Sequence, residues 1–162
     1  MRVSSFDLHL QFSYTQPPNL DNLLKRAPIR EITQVTKCKG NKCDICKIIM
    51  TVSEFITENG LTHKINHCMN CNSKYVIYYI RCNCGQSYIG QTVNFRLRIN
   101  LHKQQIMNPE HRHLKVSKHL YNCSQNYKVL PIYQMRTEDL IERQSMENKL
   151  ITKYQTSLNS VT

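Results

Sequence analysis

The sequence predicts a small mixed α/β domain: a three-stranded mixed sheet flanked by helices, with a cysteine-rich segment in front of it. Three observations predict it. A β-branched and aromatic run, Lys74–Cys82, is followed closely by Ser87-Tyr88-Ile89. Two helical patterns follow, with a further strand pattern between them. Three cysteines crowd into residues 38–46, with two more at 68 and 71.

The elements follow in chain order. Residues 1–36 are poorly patterned, broken by Pro17-Pro18. A short helix over Asn19–Lys25 would stop near Pro28, and the region reads as a linker or the tail of an upstream region. Residues 37–72 form the cysteine-rich segment and 73–162 the α/β domain. Lys74–Cys82 is apolar on both faces, as an inner strand requires. Asn83–Gln86 supplies a turn and Ser87–Ile89 a second strand. Asn94 can cap a helix that runs to about Met107 and ends at Pro109. A loop holding His111, His113 and His119 follows. Val129–Met135 reads as the third strand, with Pro131 placing it at an edge or bulge. Thr137 can cap a last helix through Tyr154, with Glu138 and Asp139 in its first turn.

Charge and cysteine content narrow the function. Net charge is +11, from 22 Lys and Arg against 11 Asp and Glu. That excess fits a polyanionic partner, most simply nucleic acid. Mean hydropathy is −0.51. The longest apolar run, Val76–Ile80, is far short of a bilayer span. The N-terminus has no apolar core of a secretory signal, so the eight cysteines point to metal rather than a disulfide framework. A secreted, disulfide-built protein, a membrane protein and an acidic disordered tail are all excluded on these expectations.

Cys38-x4-Cys43-x2-Cys46 can supply three thiolates to a tetrahedral Zn2+, because close-spaced cysteines on a turn converge on one point. Cys71 or Cys68 could close the site, with His67 as the other choice. The residues between, Lys37, Lys39, Asn41 and Lys42, are polar, so burial as apolar side chains explains these cysteines poorly, and reduced, solvent-exposed thiols are the alternative to a metal site. Cys82-x-Cys84 at the hairpin turn is either a second metal pair or ordinary strand and turn cysteines. Cys123 reads as a core or surface thiol.

The helices carry two oddities. With Phe95 at zero on a helical wheel, Ile99, His102 and Ile106 fall within about 40° of it, so His102 lies in the inward stripe. Arg98 stands one turn before His102 and flanks the same face. In the last helix Leu140, Gln144, Glu147, Ile151 and Tyr154 repeat at helical spacing. Glu147 therefore falls in the stripe that should be buried. A desolvated carboxylate is costly unless it meets a cation, a metal or a water-filled cleft. Basic residues gather in two places. Lys25, Arg26, Arg30, Lys37, Lys39, Lys42 and Lys47 lie in the linker and cysteine region. Arg96, Arg98, Lys103, Arg112, Lys115 and Lys118 surround the expected cleft, and phosphate contacts from such groups give affinity without sequence choice.

Taken in order, Val76-Ile77-Tyr78, Tyr88-Ile89-Gly90, Arg98, His102, Glu147 and Asn159 resemble the GIY-YIG nucleases over about Ser73–Asn159. Val76 replaces the family's Gly, and Leu150 stands where many members have Trp. The family's second histidine corresponds to His111, His113 or His119. With the upstream Asn19–Leu24 stretch and Cys38, Cys43, Cys46 and Cys71, the chain is similar to the linker and endonuclease region of Penelope-like retroelement polyproteins, without their polymerase. The resemblance implies phosphodiester hydrolysis of DNA. Glu147 would hold Mg2+ or Mn2+, and Arg98 would neutralise the phosphorane. Tyr78 would act as general base or orient the attacking water. Tyr88 and His102 would position or relay protons, and Asn159 would hold the site together. The resemblance implies DNA as partner, allows element RNA, and places the chain in the nucleus, otherwise the cytoplasm. The alternative is a zinc-dependent nucleic-acid-binding module without catalysis.

Overall fold

Nine residues of high β-propensity, Lys74–Cys82, form the central strand β3. Every side chain from Val76 to Ile80 is fully buried, which requires both faces of the strand to be covered. The turn at 83–86 uses Gly85 in the left-handed region, φ +98°, and returns the chain as β4, Ser87–Asn94. In this computed structural model, residues 33–40, 42–124 and 126–159 are described. The expected helix over Asn19–Lys25, and Lys25, Arg26 and Arg30, lie outside the described residues.

Ahead of β3, a 3-10 turn spans Asp44–Lys47. Two three-residue strands, β1 (Glu54–Ile56) and β2 (Thr62–Lys64), pair antiparallel. After β4, Asn94 accepts from the Leu97 amide and starts helix α1, Phe95–Met107. A 3-10 turn at Pro109–His113 leads into α2, Lys115–Asn122. Strand β5 is Tyr127–Gln134, and helix α3 is Leu140–Tyr154. Among the described residues no helix is long and apolar enough to cross a membrane.

The main sheet has the order β4-β3-β5 and is antiparallel at both pairings. The expected sheet was mixed. The correction follows from placement: β5 runs in the same direction as β4 but pairs with β3, on its other side. The register slips between Ile77 and Tyr78, so that Tyr78 faces Pro131 while Ile77 faces Tyr133. Pro131, which lacks an N–H, thus sits on an edge strand at an irregularity, as expected.

One face of β3 presents Tyr78 to Phe95 and His102 of α1. The other presents Tyr79 to Phe55 of β1, ring centroids 5.0 Å apart. His63 of β2 ties that hairpin down: Nε2 bonds to the Ile132 carbonyl at 3.0 Å and Nδ1 to Tyr154 Oη at 2.5 Å. Because Nε2 must donate to a carbonyl, Nδ1 accepts from the tyrosine.

The cysteine-rich segment shares this core. Val35 bridges Met69, Ile49 bridges Val129, and Val35, Ile45 and Met69 are buried. Three local expectations change. The segment holding His119 is helix α2 rather than loop. The cap of α3 is Asp139, accepting from the Ile141 amide, while Thr137 donates to Glu142. The inward face of α3 is Arg143, Leu150 and Tyr154, and Leu140 is half exposed. Starting the helix at Leu140 places Leu140 before the first packed turn, and Arg143 takes the buried position instead.

Candidate functional site

Hairpin and helix bring one set of predicted residues together. Tyr78 and Gly90 are direct partners across β3 and β4. A Cβ at residue 90 would lie 2.6 Å from Tyr78 Cζ and 2.9 Å from Tyr88 Cε1. Only glycine leaves room for the two rings, whose centroids are 6.2 Å apart. Asn94 ends β4 and caps α1, so Arg98 and His102 follow one and two turns into a fixed helix. Arg98 Nε donates to Tyr78 Oη at 3.0 Å, and His102 Nε2 lies 2.8 Å from the same oxygen. The His102 ring also stands edge-on to Tyr88, at 5.8 Å.

Burial sets the electrostatics. It pushes the Tyr78 phenol well above its ordinary value, with the neighbouring Tyr88 adding to the rise and Arg98 opposing it. Tyr88 is raised for the same first reason. Burial, helped by Arg98, lowers His102 to about 4, so the imidazole is neutral at pH 7. A proton leaving Tyr78 Oη therefore has an uncharged ring nitrogen beside it, and the phenolate left behind would face a fixed cation. His102 Nδ1 is buried with no hydrogen-bond partner among the described residues.

Glu147 is half-buried on α3. Burial raises its carboxyl, while the Gln91 backbone amide and the Arg98 and Arg143 charges favour its ionised form. A half-buried carboxylate of this kind suits Mg2+, which keeps most of its waters and takes one or two protein carboxylates beside substrate phosphate oxygens.

Arg143 escaped the sequence reading. It is only 4% exposed. Its Nε donates to Gln91 Oε1 at 2.5 Å and its Nη1 to the Glu138 carbonyl at 3.4 Å. The guanidinium also lies 5.9 Å from the Tyr75 ring centroid. It ties α3 to β4 one turn before Glu147. The one signal for it was a cation at an inward helical position, four residues before an inward acid.

Asn159 holds the other end of β4. Its Oδ1 accepts from the Ile89 amide at 2.6 Å and its Nδ2 donates to the Ile89 carbonyl at 2.7 Å. The side chain imitates a strand along the open edge of β4, one residue from Tyr88 and from Gly90. Glu58, also missed, accepts from the Ser87 amide and hydroxyl and from the Ser157 amide.

The cysteines fall into two groups. The ligand atoms of Cys38, Cys43, Cys46 and Cys71 all lie within 4.8 Å of one another. Cys46 Sγ is 3.5 Å from Cys38 Sγ and 3.4 Å from Cys71 Sγ. Four thiolates 2.3 Å from Zn2+ would stand about 3.8 Å apart, so the set needs only a slight expansion to take the ion. The alternatives Cys68 and His67 stand outside the group; Cys68 is exposed and the His67 ring lies beside Tyr133. The Gly40 backbone, then Cys46, lower the Cys38 thiol to about 6.

The second group joins Cys82 and Cys84 to His119 and Cys123, again within 4.8 Å. His119 Nε2 is 3.2 Å from Cys84 Sγ and 3.5 Å from Cys123 Sγ. It could be found only once α2 was known. His119 and Cys123 are one helical turn apart and meet the hairpin turn from the side.

The predicted phosphate contacts are dispersed. Arg96 turns to the first cysteine group, donating to Cys38 Sγ and Asn72 Oδ1. Lys103 is half-buried on α1, Arg112 stacks on Tyr121 at 4.3 Å, and Lys115 and Lys118 are exposed on α2.

Tyr78, Arg98 and His102 thus meet at one hydroxyl, with Tyr88 beside them and Glu147 on a later helix of the same α/β domain. The family model described as the GIY-YIG catalytic domain matches residues 74–159, more than half of the chain. The chain belongs to this family, which is one of endonucleases. No curated protein and no solved structure matches it.

Proposed function

We propose that the protein is a metal-dependent DNA endonuclease that nicks by hydrolysing phosphodiester bonds, and that it derives from a retroelement of Penelope type. The observation that carries the reading is the meeting of Arg98 and His102 on Tyr78 Oη, with Glu147 in the field of Arg98.

Hydrolysis needs a water in line with the leaving oxygen and a cation for the charge that develops on phosphorus. Arg98 supplies that cation from a rigid helix. Tyr78, neutral at rest, orients the attacking water and can pass its proton to His102. Tyr88 packs on both. Asn159 keeps β4 in register under them. Glu147 would hold Mg2+ or Mn2+, which supplies charge neutralisation at the scissile phosphate when bound. Arg112, Lys115, Lys118 and Lys103 contact the DNA backbone, and the cysteine groups hold zinc. The retroelement origin rests on the order of the parts: residues 1–36 as linker, the cysteine segment to residue 72, then the nuclease domain. Such a source gives the protein a nuclear place of action, with element RNA as a second ligand.

The complete burial of Tyr78, its hydroxyl already engaged by two partners, favours one other reading. In it the chain is a zinc-dependent nucleic-acid-binding module without catalysis. Nicking of supercoiled plasmid with Mg2+ separates the two. The nuclease reading expects wild type to nick and Glu147→Ala to lose about 10²-fold or more. A zinc-loaded wild type that binds DNA but never nicks supports the module.

A further inference from the structure

Arg96 lies in the first turn of α1, two residues before Arg98, yet its partners are not those of Arg98. Its Nη2 lies 3.3 Å from Cys38 Sγ and 2.6 Å from Asn72 Oδ1, and its Nε 3.0 Å from the same Asn72 oxygen. Asn72 follows the ligand candidate Cys71 directly. That loop is also bonded to the helix start: the Phe95 amide donates to the Ser73 carbonyl at 3.2 Å, and Ser73 Oγ accepts from the Asn70 amide.

Four thiolates around Zn2+ carry a net charge of about −2, a cost in any partly buried site. A guanidinium donating to one sulfur offsets part of it and fixes that ligand's orientation. The same guanidinium is covalently part of α1. The first turn of α1 is thus bound to the cysteine group by its side chain and to the Cys71 loop by its backbone. A helix transmits such anchoring along its axis at 1.5 Å per residue, which puts Arg98 about 3 Å and His102 about 9 Å away.

We propose that Arg96 is a positioning residue that joins the metal of the Cys38, Cys43, Cys46 and Cys71 group to helix α1, so that zinc occupancy sets the order of the helix that presents Arg98 and His102. This rests on the nuclease reading for its consequence but not for its test. Arg96 is therefore withdrawn from DNA contact.

The test uses the full chain in a Cys84→Ser, Cys123→Ser background, which disables the second group. Zinc affinity is measured by competition with a chelator, and amide hydrogen exchange is followed over residues 96–102. Arg96→Met is expected to weaken zinc binding about 10-fold or more and to speed exchange in α1. Chelating zinc from the parent is expected to speed the same amides. Arg96→Lys keeps the charge but not the planar fork, and falls between. Unchanged zinc affinity in Arg96→Met overturns the proposal. Weakened zinc with unaltered exchange in α1 overturns it as well. If Arg96→Met does not fold, Asn72→Ala, which only removes the group that aims the guanidinium, carries the test. It should act in the same direction, and no change in either measurement overturns the inference. Neither readout involves DNA, so a failure to nick leaves it standing.

Discussion

Asn159 pairs with both backbone groups of Ile89, accepting at 2.6 Å and donating at 2.7 Å. Asn159→Ala leaves a strand amide and carbonyl without those partners, a cost of about 1–3 kcal/mol. Asn159→Asp keeps the acceptor but turns a carboxylate toward a carbonyl, and should cost more. Urea denaturation ranks the two. Loss of nicking should track the ranking, because the residues on either side of Ile89 are Tyr88 and Gly90.

Gly90→Ala tests how tightly the tyrosines are packed. The added methyl would sit 2.6 Å from Tyr78 Cζ, and a ring held between two strands and a helix has no room to retreat. Overpacking of this kind costs about 1–3 kcal/mol. Displacing Tyr78 by about an ångström should cut nicking about 10²-fold. A fully stable, fully active Gly90→Ala would show that the two rings are free to move.

Stability should fall with acid through His102. Its ordinary value is 6.5 and burial holds it at about 4 in the folded chain. Between those values the unfolded chain binds the proton and the folded chain does not. Stability is therefore complete above pH 6.5, declines as pH falls, and levels below 4. The decline amounts to about 3 kcal/mol. Urea midpoints across this range should show the slope, and His102→Gln should flatten it.

Metal content gives the next prediction. The wild type should carry two zinc ions per chain. Cys43→Ser should remove one and Cys84→Ser the other, as read by elemental analysis. Retention of both ions in either variant would remove that group from the metal sites.

The core of the site was legible because its signals were periodic and local. Phe95, Ile99, His102 and Ile106 are all buried, as the helical spacing requires. Asn94 caps where a side-chain acceptor was needed. What stayed hidden depended on partners distant in sequence. Strands β1 and β2 are three residues each, too short for alternation to register, and owe their place to Phe55 and His63 packing under β3 and β5. Helix α2 has eight residues and no side-chain cap, and its local signal is confined to the i, i+4 pair Val116 and Leu120. His119 was consequently left beside His111 and His113, with no reason to choose among them. The buried stripe of α3 lies one position from the helical spacing expected, because a buried arginine is tolerated only where Gln91, Glu138 and Tyr75 meet it. That coincidence belongs to the fold.

Strand β3 begins three residues after Cys71 and ends on Cys82. Each cysteine group thus grips one end of the central strand, and Tyr78 lies between them. A beam fixed at both supports bends least and cannot slide, whereas one fixed at a single support swings. With both groups loaded, each end of β3 would be tied to residues distant in sequence, in addition to its pairings with β4 and β5. Were zinc to leave either group, that end of β3 would lose a tie, while the pairings with β4 and β5 would remain. If both groups hold zinc, they would be the bearings on which the alignment of a single oxygen is set.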